Sequence, residues 1–526
     1  MNRESPESPE PQGRERAADD ATRIAAEVAA DAGVELSQLR TEDQRFLKEH
    51  ALKKGLGTPQ IWALGVGAVI TGEYFGWNPG LAAAGPIGML IASLFVCALY
   101  MAWVLSLSEL SVAMPFAGGP LAYGRRAVGP AFGFIMGWSM FLESLFATIG
   151  TAIATGGAVY FLVDLLAPSF TGSQWPLGLD PRLAVTTLMG LFTVALFAGL
   201  QCVGARQQAK VMEWMTYGAI AGLVWFWIAA LPGVDLSRIT EPGLVNGWEG
   251  VLRAIPYAIW WLVIIEAVAL SAEEAREPER SIPRGLALAQ ITLIVLVVLT
   301  WFFVSATGSD YKKTGETSVL YPLQHVYREV WPGQEHAWHL AGFGLVALCG
   351  MVASYNGMIY AVSRQSFALG RAGYLPRFLG QLHAERRTPV PSILFWSLAA
   401  AGFVVWGYFN EGAIFVAVLT CNLTALIWYI LAMVCLFVLR WKEPDMPRPY
   451  RVPWYPFLPA AVIVMSLFAG IVYGLLQERI VLKLTLGMYA AGLAYYYGFA
   501  RSRLEAAAPE ELAARAAQGG VSPDEQ

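Results

Sequence analysis

Charge is scarce in this chain. Only 14% of its 526 residues are Asp, Glu, Lys or Arg, against 56% of hydrophobic types, whereas a soluble globular chain averages about a quarter charged. That excludes an ordinary water-soluble protein. The 76 charges are also unevenly placed: 21 fall within residues 1–57, and between Thr58 and Gly124 only Glu73 and Glu109 are charged. The net charge of −4 carries no basic excess, so a nucleic-acid partner is not expected. Histidine and cysteine are rare, at five each. Cys97, Cys202, Cys349, Cys421 and Cys435 lie in or beside apolar stretches without a CxxC pair, and read as small core hydrophobes rather than disulfides or metal ligands. His50, His325, His336, His339 and His383 all lie in polar connecting segments, so no catalytic or metal-binding histidine cluster, and no cofactor, is expected within the apolar part. No basic stretch followed by an apolar core and a small-residue cleavage site opens the chain, so no signal peptide is expected.

What the chain has instead is apolar runs, each long enough to cross about 30 Å of hydrocarbon. They lie near 59–82, 86–111, 129–166, 182–203, 210–232, 252–272, 285–307, 338–362, 389–409, 411–439, 456–477 and 480–500. This pattern predicts an all-α polytopic membrane protein of about twelve spans, embedded in a lipid bilayer. Gly85-Pro86, Pro115 to Gly119 and Gly129-Pro130 punctuate the joins. With a cytoplasmic N-terminus, the inner loops carry sixteen Lys and Arg and the outer loops eight, which predicts both termini inside the cell membrane. Residues 1–57 form a polar N-terminal segment whose first part is expected to be disordered. From Glu35 to Lys54 a helix would place Leu36, Leu39, Phe46, Leu47 and Leu52 loosely on one side, lying on the membrane surface or serving as a solvated linker. The tail over 501–526 is expected to fray.

Span one carries the first chemical signal. Gly65, Gly67, Gly72, Gly76 and Glu73 fall within twelve residues. Glycine weakens a helix by roughly 1 kcal/mol relative to alanine, and a charge at mid-membrane costs about 2.5–3.5 kcal/mol on insertion scales. Both are tolerated where a helix is interrupted and lines a polar cavity. Span six carries Glu266 and runs into Glu273, Glu274, Pro278, Arg280, Ile282, Pro283 and Arg284. This spacing resembles the cytoplasmic signature of the amino acid–polyamine–organocation transporter superfamily. Ser108-Glu-Leu-Ser with Pro115 to Tyr123, Ser363-Arg364 with Arg371 to Pro376, and Pro447 to Pro453 resemble its other loops. The likeness covers about residues 55–500, and within the superfamily it is greatest to ethanolamine permeases, through Gly72 to Asn78 and Ile255 to Trp260.

The resemblance implies a leucine-transporter-type fold of two inverted five-helix repeats over 58–440, with spans one and six broken at mid-membrane and spans eleven and twelve, over 441–500, outside the core. It places substrate contacts at Val69, Ile70, Thr71, Gly72, Glu73, Tyr74, Tyr257, Trp260 and Trp261, proton coupling at Glu266, and a possible cation site at Ser354 and Asn356; Glu143, a further intramembrane acid in span three, is a candidate contact on its own chemistry, with a structural role as the alternative. Many amino-acid permeases have Gly-Ser-Gly where this chain has Thr71, Gly72 and Glu73. An anionic Glu73 facing the cavity would repel a carboxylate and attract an ammonium. The expected function is therefore a secondary active transporter importing a small cationic amine, ethanolamine, coupled to protons or to sodium. An amino-acid permease is the alternative; an amine sensor or membrane enzyme is remote, because no catalytic constellation or signalling domain is seen. Span six departs from the family in having Ile264 where a glycine is common, so its break is implied by resemblance alone.

Overall fold

The computed structural model describes residues 11–171, 180–316, 321–410, 412–477 and 479–517; residues 1–10 and 518–526 of the two expected terminal segments lie outside them. The described residues are all-helical, with one isolated bridge among them between Leu56 and Ala275. Among the described residues ten helices are long and apolar enough to cross a membrane. They are spans two to eleven: Asn78–Ala113, Pro130–Leu166, Pro181–Val203, Gln207–Gly233, Gly247–Glu274, Pro278–Thr307, Ala337–Arg371, Val390–Gly407, Ala413–Lys442 and Phe457–Leu476. Span one is cut into short pieces, and the less apolar Arg479–Gly498 stands where span twelve is expected.

Local chemistry explains the boundaries. Pro130, Pro181 and Pro278 open their helices, where a missing N–H costs nothing and φ is already helical. Asp180 caps the helix of span four by accepting from the amides of Arg182 (2.8 Å) and Leu183 (3.3 Å). Inside Asn78–Ala113, Gly85 takes φ +68° immediately before Pro86. A side chain would be strained there, and the kink divides the far end of span one, up to Ala84, from span two.

Two interruptions stand five spans apart. Thr58–Val69 gives way at Ile70 to the single turn Thr71–Tyr74, and Phe75 is extended. Gly247–Ala258 gives way to the turn Ile259–Trp261; Ile264 is left-handed at φ +76°, and Ile265–Glu274 continues as a 3-10 helix. Each half of the core thus opens with a broken helix, as an inverted repeat requires. A β-branched residue at positive φ is a backbone outlier. The break in span six is therefore held by packing around a fully buried Ile264, where a glycine would adopt it without strain.

Both terminal segments depart from expectation. Pro11–Asp31 is a helix, and Ile24, Ala25, Val28, Ala29 and Ala32 are buried along one side of it. Thr41–His50, by contrast, is a helix inside the stretch 35–54 where one is expected, with Leu47 buried. The tail does not fray after Arg501: Pro509–Ala517 is helical, with Ala508, Leu512 and Ala513 buried. Alanine-rich faces suffice because they let helices approach closely, and that hides them from a reading based on large hydrophobes. On the same face, Glu109 of span two is buried and receives two bonds from Arg440 (2.8 and 2.6 Å) and one from the Val452 amide (2.7 Å).

Candidate functional site

The two breaks touch. A Cβ built on Gly72 would lie 2.5 Å from the Trp260 carbonyl oxygen and 3.2 Å from Trp261 Cα, so only glycine lets the backbones come this close. Phe75 meets the Trp260 ring at 5.7 Å, and Trp77 stacks on Trp261 at 4.4 Å. The Trp261 indole donates to Ser93 Oγ in span two (3.1 Å). Val69, Ile70, Thr71, Gly72, Glu73, Tyr74, Trp260 and Trp261 are all buried; Tyr257 is half-buried, with its Cβ beside Gly80. The Tyr74 hydroxyl donates to the Ala219 carbonyl of span five (2.6 Å).

Span eight fastens the first break. The Thr71 amide donates to Ser354 Oγ (2.9 Å), and that hydroxyl donates to the Gly67 carbonyl (2.8 Å). Asn356, two residues on, turns elsewhere: its Oδ1 and its carbonyl both accept from Gln201 Nε2 of span four at 2.9 Å. Ser354 and Asn356 therefore do not converge on one point, and each already serves a helix–helix contact.

The acids form two centres. Glu73 faces the Thr300 hydroxyl of span seven and the Cys97 thiol of span two, and among the described residues neither carboxylate oxygen makes a hydrogen bond of normal geometry. Glu143 of span three and Glu266 of span six face each other. Span ten holds both: Trp428 Nε1 donates to Glu143 Oε2 (2.5 Å), and the Tyr429 hydroxyl bonds Glu266 Oε1. The Tyr100 hydroxyl lies 3.1 Å from that of Tyr429 and can donate to it, and the Tyr429 ring stacks on Trp103 at 4.1 Å. Among the described residues the remaining oxygens, Glu143 Oε1 and Glu266 Oε2, make no hydrogen bond of normal geometry. One proton held between the two carboxyls would satisfy both. Among the described residues no Lys, Arg or His lies within ion-pairing distance of Glu73, Glu143 or Glu266.

The structure thus joins the two breaks, and joins Glu143 to Glu266, but sets Glu73 on the side of spans two and seven. Sequence reasoning missed Tyr100, Trp103, Thr300, Trp428 and Tyr429. With 19 Trp and 21 Tyr in the chain, an aromatic with a polar tip inside a span was too common to single out. Two further acids, Glu109 and Glu213, pair with Arg440 and with Gln60 (3.1 Å) respectively.

Broken helices meeting beside buried acids in a polytopic helical core define a membrane transporter. Residues 56–491 match the amino acid permease family. The chain belongs to that family, within the amino acid–polyamine–organocation superfamily, and is a transporter rather than an enzyme. It is 29% identical to an uncharacterised transporter of Rhizobium meliloti (strain 1021), over 79% of this chain and 85% of that one. It is 26% identical to a branched-chain amino acid permease of Bacillus subtilis (strain 168), over 80% and 88% of the two chains. It is 25% identical to a methylthioribose transporter of the same organism, over 78% and 87%.

Proposed function

We propose that this transporter imports a small cationic amine, ethanolamine, across the cell's inner membrane by alternating access, with both termini cytoplasmic. The observation that supports it is the set of three buried carboxylates without a basic side chain in ion-pairing distance among the described residues. Burying a carboxylate is costly unless it is paired or protonated, so the core calls for a cation: a proton, an ammonium, or one of each. The Thr71 amide, one of the groups that could receive a substrate carboxylate at the break, is already bonded to Ser354. Glu73 supplies the charge for the ammonium, and the Glu143–Glu266 pair holds the coupling proton.

The relatives favour a second reading, an amino-acid permease, because a branched-chain amino acid permease aligns over four-fifths of the chain. Uptake of labelled ethanolamine and of an amino-acid panel into proteoliposomes, under imposed proton or sodium gradients, separates the two. Losing one partner of a desolvated charge pair costs about 2–5 kcal/mol. Glu73→Gln is therefore expected to weaken ethanolamine binding by more than about tenfold and to relax rejection of serine. Wild-type uptake of leucine without ethanolamine establishes the second reading. Unchanged ethanolamine binding with serine still rejected removes Glu73 from the site.

A further inference from the structure

The face that carries the termini is closed by a buried cluster of ions centred on Arg371, at the end of span eight. Its guanidinium donates to both oxygens of Glu273 at the end of span six (2.9 Å each), to the His50 carbonyl (3.0 Å), and to Glu510 Oε1 (2.6 Å). The side chains of Arg371, Glu273 and Glu510 have no solvent exposure, and the Phe367 ring lies 4.9 Å from the guanidinium. Glu273 also accepts from the amides of Leu52 (3.0 Å) and Ala117 (2.9 Å). Five segments therefore meet at one point: the N-terminal segment, the loop after span two, the ends of spans six and eight, and the helix Pro509–Ala517.

The first and last of these differ from the rest. Glu273, Arg371 and Ala117 fall inside the stretch that matches the family, whereas His50 and Leu52 precede its start at residue 56 and Glu510 lies beyond its end at residue 491. Glu273 is satisfied without Glu510, through Arg371 and two amides. Glu510 is a second carboxylate on an already neutralised guanidinium, and its Oε2 has no hydrogen-bond partner among the described residues. Its neighbour Glu511 bonds Arg125 Nε (2.7 Å) and the Tyr374 hydroxyl (2.8 Å). The helix presses on the loop so closely that a Cβ at Gly118 would meet Glu510 Oε1 at 2.8 Å. It thus bridges the loop after span two to the end of span eight.

We propose that the helix Pro509–Ala517 is a latch on this mouth, Glu510 being the residue whose release from Arg371 precedes opening. The proposal rests on the alternating-access reading. The first test needs no substrate. In full-length, detergent-solubilised protein with the five native cysteines replaced, a cysteine at the buried Ala117 reports opening through its rate of reaction with a small thiol reagent. Glu510→Ala, and the volume-conserving Glu510→Gln, should each raise that rate at least fivefold without lowering the thermal midpoint. An unchanged rate in both folded variants overturns the latch.

The second test uses transport. Cysteines at Arg125 and Glu511, whose side chains already meet at 2.7 Å across this contact, bridged by a short bifunctional thiol reagent, should cut uptake of a transported substrate at least tenfold, while either single cysteine treated alike does not. Undiminished uptake after complete cross-linking overturns the proposal. If wild-type protein transports nothing, the functional reading fails, and the labelling test still decides whether the helix closes the mouth.

Discussion

Gly72 and Trp260 share a contact that no other residue at position 72 could make: a Cβ there would sit 2.5 Å from the tryptophan's carbonyl oxygen. The break in span one is shaped to lie against the break in span six, and the neighbour is rigid backbone that cannot rotate away. Overpacking such a site costs roughly 1–3 kcal/mol. Gly72→Ala should lower the thermal midpoint of the purified protein and abolish most uptake. Gly199→Ala, where an added Cβ meets nothing within 4 Å, should leave both unchanged.

Glu266 carries a prediction about protons. The groups facing it are Glu143, Tyr429 and Trp103, with Tyr100 and Cys421 close behind. None is a basic side chain, so the carboxyl pair is the group able to exchange a proton as its surroundings alternate between wet and dry. Glu266→Gln should flatten the dependence of uptake on pH between about 5 and 8 while retaining substrate binding. A pH profile matching wild type in a well-folded mutant takes Glu266 out of coupling.

His50 makes the N-terminal helix Thr41–His50 sensitive to acid. Burial, the largest influence, and the nearby Arg371 charge hold its imidazole below the ordinary value of 6.5, against the bond from Nδ1 to the Phe46 carbonyl (2.9 Å). The unfolded segment then binds a proton more readily than the docked one. Stability is full above about pH 6.5 and is lost as pH falls through the depressed value. Hydrogen exchange of amides 41–52 should quicken on acidification across this window, and His50→Gln should remove that response. Exchange independent of pH in the wild type, after correction for intrinsic rates, contradicts the assignment.

Glu109 anchors the loop after span ten to span two through Arg440 and the Val452 amide. Removing one member of a buried ion pair strands the other, at a cost of roughly 3–5 kcal/mol. Glu109→Ala should lower expression and melting temperature sharply, yet leave substrate affinity unchanged in the protein that survives. A shift in affinity comparable to that of Glu73→Gln would place Glu109 in the transport pathway instead.

The spans were legible because each is a long apolar run, and a helix satisfies all its own backbone groups in lipid. The break in span one was legible too, since glycines and Glu73 stand out in such a run. The break in span six was not, because its left-handed residue is Ile264, which composition cannot distinguish from any core isoleucine. The aromatic partners of the carboxylates were hidden by distance along the chain: Trp428 reaches Glu143 across 285 residues. The terminal helices were misread because their buried faces are built from alanine, and a polar reading of Glu- and Arg-rich sequence overlooked the spacing of Ala25, Val28, Ala29 and Ala32.

The position of Glu510 in the chain also fixes an order of events during synthesis. Chains fold from the N-terminus as they emerge, at about 5–20 residues per second, so Glu273 and Arg371 are made well before their third partner. While the ribosome is still adding residues 372 to 509, Arg371 has only Glu273 and the backbone of the N-terminal segment to bind. The ion cluster on that face is therefore completed last, after every span has been made.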